Sequence, residues 1–218
     1  MLALNPAVAE TETPDAESAL VLARAGDSKA FEEVYRAYAT RLLRHAMALC
    51  GNPALAEELT QDTLVEAWKC LHRYNDRCQF FTWLCTILVN RYRNHLRKQR
   101  FIRFFAFGST AQGEYNGRLE KLMDHGSSPD EAAVVREQAE VVRQCLQSLP
   151  AKQQQVVYLR FYVDNSLAGI AAALGCSEGT VKSRLFHALE KLRGMNALRA
   201  QFSNLNNEGR PNESVFKK

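Results

Sequence analysis

The chain has 218 residues, which is enough for one or two small domains that each bury a core. Aromatic residues make up 9% of the sequence, which excludes a fully disordered chain, and a net charge of +4 is too small to identify a partner by itself. Residues 1–18 contain neither a basic segment nor a sustained apolar run, so we expect no signal or transit peptide and predict a cytoplasmic protein. The uncharged stretch 78–90 is too short and too polar to span a bilayer, so we expect no membrane insertion.

Apolar residues recur at three- and four-residue steps through most of the chain, and strand patterns are nearly absent. The pattern predicts about two helices within residues 20–47, with Asp27 or Ser28 as the N-cap of the second helix. It then predicts one helix over about 54–71 and a longer helix over about 80–100.

Residues 105–129 are mostly small or polar and show little periodicity, which predicts a flexible linker. Helical periodicity resumes at 130–198, whereas 1–17 and 199–218 are predicted to be flexible ends. The sequence therefore predicts an all-α protein in which two small helical domains, 18–104 and 130–198, are joined by a flexible linker.

Positive charge is concentrated in one segment, because residues 77–113 contain seven Lys or Arg residues and no Asp or Glu. Solvated helix faces usually mix the two signs, so this pattern favours contact with a polyanion.

The six cysteines form no CxxC pair, which argues against a zinc knuckle or a thioredoxin-like motif. We expect them to be small apolar core residues, and we predict no metal and no cofactor. A redox or metal-sensing role for Cys78 and Cys85 is the alternative interpretation.

Residues 167–185 fit a helix-turn-helix, with Gly175 at the tight turn and Ser177 as the cap of the second helix. Gly179 falls in the first turn of that second helix, where we expect its missing Cβ to let the two helices approach closely. The N-terminal part of such a recognition helix contacts base edges and phosphates. The candidate DNA contacts are Ser177, Thr180, Lys182, Ser183, Arg184, Phe186 and His187.

Three segments carry a resemblance to bacterial sigma factors. LPAKQQQVVYLRFYVDNSLAGIAAALGCSEGTVKSRLFHALEKLR (149–193) resembles the promoter-binding region 4. AEELTQDTLVEAW (56–68) resembles the region 2 helix that binds the RNA polymerase core, and FFTWLCTILVNRYRNHLRKQR (80–100) resembles the segment that melts and reads the −10 element. In this order, and with no third folded domain between them, they resemble the extracytoplasmic-function group. Gly169 departs from the family, which usually has an acidic residue there, and nothing in the sequence explains it.

The resemblance implies a transcription initiation factor that is not an enzyme, with core RNA polymerase, promoter DNA and an anti-sigma factor as its partners. Residues 18–104 would be region 2 and residues 130–198 region 4, with residues 177–191 reading the −35 element and the loop 75–79 receiving a flipped base. Core polymerase would be bound by Glu58, Gln61, Asp62, Leu64 and Trp68. The −10 element would be contacted by Asn75, Arg77, Gln79, Asn90, Arg91, Arg93, Asn94 and Arg97.

Strand opening requires only that the protein bind the unpaired strand more tightly than the duplex. Phe80, Phe81 and Trp83 offer rings that could stack on splayed bases, at ~1–3 kcal/mol per base. The alternative is that these rings belong to the core, which we favour for Trp83.

Two other classes of function remain as alternatives. A stand-alone helix-turn-helix regulator would bind duplex DNA by itself, usually as a symmetric dimer, and no clear dimerisation helix is present. A nuclease would use the acidic helix at 57–66, but no histidine accompanies those carboxylates as a metal ligand.

Overall fold

A computed structural model describes the backbone of residues 14–107, 129–196 and 198, and the side chains of most of these. All regular elements in these ranges are helices, which confirms the predicted fold class. The N-terminal half contains α1 (Pro14–Arg24), α2 (Ser28–Cys50), α3 (Pro53–Cys70), a 3-10 turn (Leu71–Arg73) and α4 (Phe80–Phe107). The C-terminal half contains α5 (Pro129–Gln147), α6 (Ala151–Phe161), α7 (Leu167–Leu174) and α8 (Glu178–Arg193).

The predicted linker lies outside the described residues except at its edges, where α4 continues to Phe107 and α5 begins at Pro129. The predicted flexible ends also lie largely outside these residues. The division into domains at 18–104 and 130–198 stays a prediction.

Short polar signals set the ends of the N-terminal helices. The side chain of Asp27 caps α2 by accepting hydrogen bonds from the backbone N–H groups of Lys29 and Ala30, at 2.8 and 3.3 Å. At the other end of α2, Gly51 adopts a left-handed conformation with φ of 68°. Asn52 then caps α3, and the first position of that helix is a proline, which lacks the N–H that would go unpaired there. These turns fix the angle at which α3 leaves α2.

Helices α1 to α4 surround a core made mainly of aliphatic side chains. Val34 and Leu42 from α2 are fully buried, as are Leu84 and Leu88 from α4. A second, smaller cluster holds α6 and α8 together in the C-terminal half and is formed by Leu149, Val157 and Ala188.

The two halves are in direct contact, which the sequence did not predict. Helix α4 packs against both α6 and α7. The large core of the N-terminal half continues into the C-terminal half without a break, and the C-terminal residues that join it include Val156, Leu159, Ile170 and Val181. The described parts of the two halves thus share one core.

Candidate polymerase and nucleic-acid interfaces

The acidic surface of α3 follows one line of the helix. Glu58, Gln61 and Asp62 are exposed, and positions three and four apart lie on the same face of a helix. Val65 continues this line with 52% of its surface exposed. The sequence analysis missed Val65, although its helical spacing from Gln61 and Asp62 would have indicated it.

The prediction that Leu64 contacts core polymerase is wrong, because its side chain does not reach the surface. Leu64 retains only 1% of its surface and belongs to the core, because it lies on the side of α3 that packs on the bundle. Trp68 is partly buried, and the centroid of its ring lies 4.9 Å from that of Phe31 on α2. Val65 is therefore the apolar residue that α3 offers to a partner.

The loop between the 3-10 turn and α4 is held at both ends. Tyr74 is buried and donates a hydrogen bond from its hydroxyl to the carbonyl of Cys78, at 2.7 Å. Asp76 has a positive φ of 57°, and its carboxylate lies 2.6 Å from Nη1 of Arg24 on α1. The predicted contact residues Asn75, Arg77 and Gln79 are exposed in this loop. No pattern in the sequence connects Arg24 to this loop, because the two are 52 positions apart.

The aromatic residues at the start of α4 are divided between the core and its edge. Phe80 and Phe81 are 2% and 1% exposed, so the prediction that they could stack on bases is wrong. Trp83 is partly exposed and packs against Tyr74 and Phe80, with ring centroids 5.4 and 5.5 Å away. Among these three rings, only Trp83 presents a surface to solvent.

The basic part of α4 presents a face of four predicted residues. Asn90 lies three and four positions before Arg93 and Asn94, and Arg97 lies four and three positions after them, so the four side chains share one face of the helix. Burial and the neighbouring Arg97 both lower the pKa of Arg93, as expected where like charges are crowded together. Arg91 points elsewhere, since its guanidinium pairs with Glu66 of α3 at 2.5 Å. The structure thus separates Arg91 from the other four.

Helices α7 and α8 form the predicted helix-turn-helix. Gly175 ends α7 with φ of 61°, and Ser177 caps α8 by accepting from the backbone N–H of Thr180 at 3.2 Å. The hydroxyls of Ser177 and Thr180 also lie 2.9 Å apart and bond each other. Gly179, however, meets only the hydroxyl of Ser177, 3.8 Å from where its Cβ would be, so the expected close approach of helices there is wrong.

The outer face of α8 is polar, basic and aromatic. Lys182, Ser183, His187 and the 61%-exposed Phe186 are all available to a ligand on this face. Arg184 instead turns back toward the helix-turn-helix corner, where its Nη1 lies 3.8 Å from Sγ of Cys176. A surface of this composition at the start of a recognition helix suits the major groove.

The structure disfavours the redox interpretation of Cys78 and Cys85. Burial raises the pKa of both thiols, and nearby Asp76 raises that of Cys78 further. The reactive thiolate form is therefore suppressed at both positions.

No helix within the described ranges is long and apolar enough to cross a membrane.

Comparisons with known proteins match the two halves to two families. Residues 34–102 match the family described as Sigma-70 region 2, and residues 139–192 match Sigma-70, region 4. The chain is 33% identical over 172 residues to the ECF RNA polymerase sigma factor SigL of Mycobacterium tuberculosis. This alignment covers 78% of this chain and 91% of that protein. It is 30% identical over 170 residues to ECF RNA polymerase sigma factor RpoE of Cereibacter sphaeroides, covering 77% and 86% of the two chains.

Solved structures show the same helical architecture. The sigma factor RpoE of Bartonella quintana, solved in complex with the anti-sigma factor NepR, superposes with a TM-score of 0.50 at 26% identity over 78% of this chain and 98% of that one. CnrH, solved with the cytosolic domain of CnrY, superposes with a TM-score of 0.53 and is 22% identical in sequence. The match covers 89% of this chain and 99% of that one, and it shows a similar fold.

Proposed function

Since this chain belongs to the extracytoplasmic-function group of sigma-70 family RNA polymerase sigma factors, which direct RNA polymerase to promoters, we propose that three separate surfaces divide this work. The exposed face of α3 binds core polymerase, the loop 75–79 with the basic face of α4 binds the −10 element, and α8 reads the −35 element. The single observation that carries this division is that all three surfaces contain exposed residues on different helices of one chain.

The α3 surface consists of Glu58, Gln61, Asp62 and Val65. Two exposed carboxylates beside an exposed apolar side chain suit a basic partner surface with an apolar centre. Trp68 borders this surface and braces α3 against α2 through Phe31. Leu64 contributes to binding only by holding the helix in place from within.

The −10 surface joins the loop to the start and the basic part of α4. Asn90, Arg93, Asn94 and Arg97 bind phosphates and base edges of the separated strand. Trp83 supplies the one partly exposed ring at the start of α4, next to the loop that receives a flipped base. The promoter opens because the unpaired strand gains these contacts and the duplex does not.

On α8, Lys182, Ser183, Phe186 and His187 face the −35 element. Ser177 and Thr180 act mainly through the cap, since their hydroxyls bond each other, and the N-terminal N–H groups of α8 are placed to receive a phosphate. Arg184 supports the corner of the helix-turn-helix from its position beside Cys176.

An anti-sigma factor is the proposed regulatory partner, and the cytoplasm is the proposed location. The RpoE structure from Bartonella quintana contains an anti-sigma factor bound to a similar fold, which supports this partner class.

Run-off transcription tests the function directly. Purified core RNA polymerase is supplied with fragmented genomic DNA, with and without this protein. New discrete start sites that require the protein would establish its activity and give its promoter motif. An absence of new starts, combined with tight duplex binding by the protein alone, would instead favour a stand-alone regulator.

A further inference from the structure

A small cleft lies at the junction of α2, α5 and α6. Its wall combines apolar and polar side chains from the three helices, among them Ala48, Leu49, Leu146, Arg143, Gln154 and Tyr162. The space between the atoms amounts to about 310 Å³ when the mouth, which opens to solvent, is included. Inside the mouth there is room for a group about the size of one water molecule. Any occupant must therefore be small.

Arg143 brings a positive charge into this cleft that its neighbours balance only in part. Its side chain is buried, and its Nε–H has no hydrogen-bond partner among the described residues. Its ion pair with Glu140, one turn earlier on α5, is 3.4 Å long, and Glu140 also accepts a hydrogen bond from Gln144 at 3.1 Å. Burying a charge costs free energy unless the charge is paired and hydrogen-bonded. A further negative partner would therefore lower the cost of burying Arg143.

The end of α2 holds Arg143 at the cleft. The guanidinium lies against Gly51, where a Cβ would be 2.6 Å from its Cζ. Gly51 follows the last residue of α2, where the unpaired carbonyl groups of a helix carry about half a negative charge. Because Gly51 has no side chain, the guanidinium approaches this helix end closely. The contact positions Arg143 but leaves its Nε–H unpaired.

Gln154 is a second buried polar group in the cleft. It is 5% exposed, and its side chain makes no hydrogen bond within the described part of the chain. Tyr162 adds a hydroxyl at the end of α6. Arg143, Gln154 and Tyr162 thus all offer N–H or O–H donors, whereas the apolar part of the wall offers no side-chain acceptor. An anion accepts from every donor, but a water molecule must also donate its own hydrogens, so the wall favours an anion.

We propose that this cleft is a binding site for a small monovalent anion of the halide class, with chloride as the probe. Chloride is only slightly larger than a water molecule, whereas phosphate, sulfate and carboxylic acids exceed the space inside the mouth. The ion accepts from Nε of Arg143 and from the amide of Gln154. Because it binds only the folded arrangement of α2, α5 and α6, it stabilises that arrangement by linkage.

Thermal unfolding of the full-length protein in chloride tests the site. Sodium chloride replaces sodium gluconate stepwise at constant ionic strength, because gluconate is too large for the cleft. Ala48→Leu fills the cleft with a longer apolar side chain and leaves Arg143 in place. Ala37→Leu makes the same change at an exposed position of α2 and is the matched control.

Chloride should raise the unfolding midpoint of the wild type and of Ala37→Leu along a saturating curve. The expected rise is about 3–6 °C when chloride is at about ten times its Kd. Ala48→Leu should show no saturable rise. An equal rise in Ala48→Leu would mean that chloride acts on the whole protein surface, and no rise in the wild type would mean that the cleft binds no ion. Either result would overturn the proposal.

Glu140→Gln tests whether the ion binds at Arg143. The carboxylate of Glu140 competes with the ion for this guanidinium, so its removal should lower the Kd of chloride about two- to fivefold, as expected for a partly exposed ion pair. Glu137→Gln removes the same charge at an exposed position one turn before Glu140 and should leave the Kd unchanged. A Kd that stays the same in Glu140→Gln, or falls equally in both variants, would contradict binding at Arg143.

Bromide locates the ion directly, because it is similar to chloride in size and its anomalous scattering identifies it in a crystal. In crystals of the full-length protein soaked in sodium bromide, we expect a peak within hydrogen-bonding distance of Nε of Arg143. Bromide found only beside exposed lysines and arginines would indicate an adventitious ion only and would refute the site. None of these measurements uses polymerase or promoter DNA, so their failure would leave the proposed function standing.

Discussion

The hydroxyl of Tyr158 on α6 lies 3.1 Å from Nδ1 of His45 on α2, and both side chains are buried at the junction of the two halves. The edge of the His45 ring also contacts Phe81 of α4, with ring centroids 5.1 Å apart. Burial, together with the charges of Arg41 and Arg44 on its own helix, lowers the pKa of His45 to about 4. The imidazole is therefore neutral in the folded protein near neutral pH.

Acid should weaken the folded protein through His45. In states that expose it, His45 binds a proton near its ordinary pKa of 6.5, whereas the folded state resists protonation until about pH 4. The contribution of His45 to the free energy of unfolding is therefore fully present above pH 6.5 and is lost as the pH falls toward 4. At pH 5 the loss is about 2 kcal/mol. Urea unfolding at pH 7 and pH 5 measures this loss.

His45→Gln is the control for the acid effect, because glutamine keeps a hydrogen-bonding group and does not titrate. Carboxylates elsewhere titrate in both proteins, so the difference between them isolates His45. An equal loss of stability in both proteins between pH 7 and 5 would show that His45 is protonated as easily inside the protein as outside.

Lys182→Ala should weaken transcription from cognate promoters because it removes a contact to the −35 element. The loss should be about 1–3 kcal/mol in promoter binding if the lysine contacts a base. Binding to core polymerase should not change. Lys152→Ala, an exposed lysine on α6, serves as the matched control. A parallel loss of core binding would place α8 on the polymerase instead of on DNA.

Asp62→Lys should reduce the affinity for core polymerase at least tenfold, because it reverses a charge in the middle of the α3 surface. Fluorescence anisotropy of labelled protein titrated with core polymerase measures the affinity. Glu33→Lys on α2 makes the same change of charge at an exposed position outside that surface. If both variants bind alike, net charge rather than the α3 surface governs the interaction.

Arg24→Gln should impair binding of the −10 strand with little effect on stability. Arg24 holds Asp76 at 2.6 Å, and an exposed ion pair of this kind contributes only about 0.2–1 kcal/mol to folding. Its loss frees the loop 75–79, so the complex with core polymerase should bind single-stranded −10 oligonucleotides severalfold more weakly.

Two further variants distinguish loop positioning from a general effect of charge. Asp76→Asn should have the same effect as Arg24→Gln, and the double variant should be no worse. Arg36→Gln breaks a comparable exposed pair with Glu32 on α2 and should bind the oligonucleotide normally. Additive losses would mean that Arg24 contacts the nucleic acid directly.

The features that the sequence predicted well depend on near neighbours. The Asp27 cap and the turn at Gly175 are determined within a few residues, and those same residues carry the signal. Gly179 shows the limit of such reasoning, since a helix-weakening residue suggested close packing where the structure has an open surface.

The missed features depend on residues far apart in the chain. Gly169 is explained only by a distant contact: a Cβ there would overlap Oδ1 of Asn165, whose amide reaches Thr82, 83 positions away. Leu64 and Phe80 are buried because they lie on the side of their helix that packs on the bundle. Periodicity alone does not distinguish the buried face of a helix from the exposed face when both faces contain apolar residues. Arg24 was missed because its partner belongs to a distant loop.

Because the two halves share a core, the free energy of separating them depends on temperature. Separation exposes apolar side chains such as Ile170 and Leu159 to water, and hydration of apolar surface raises the heat capacity. The free energy of separation must then curve with temperature, so that the halves hold together best at an intermediate temperature and loosen on cooling as well as on warming.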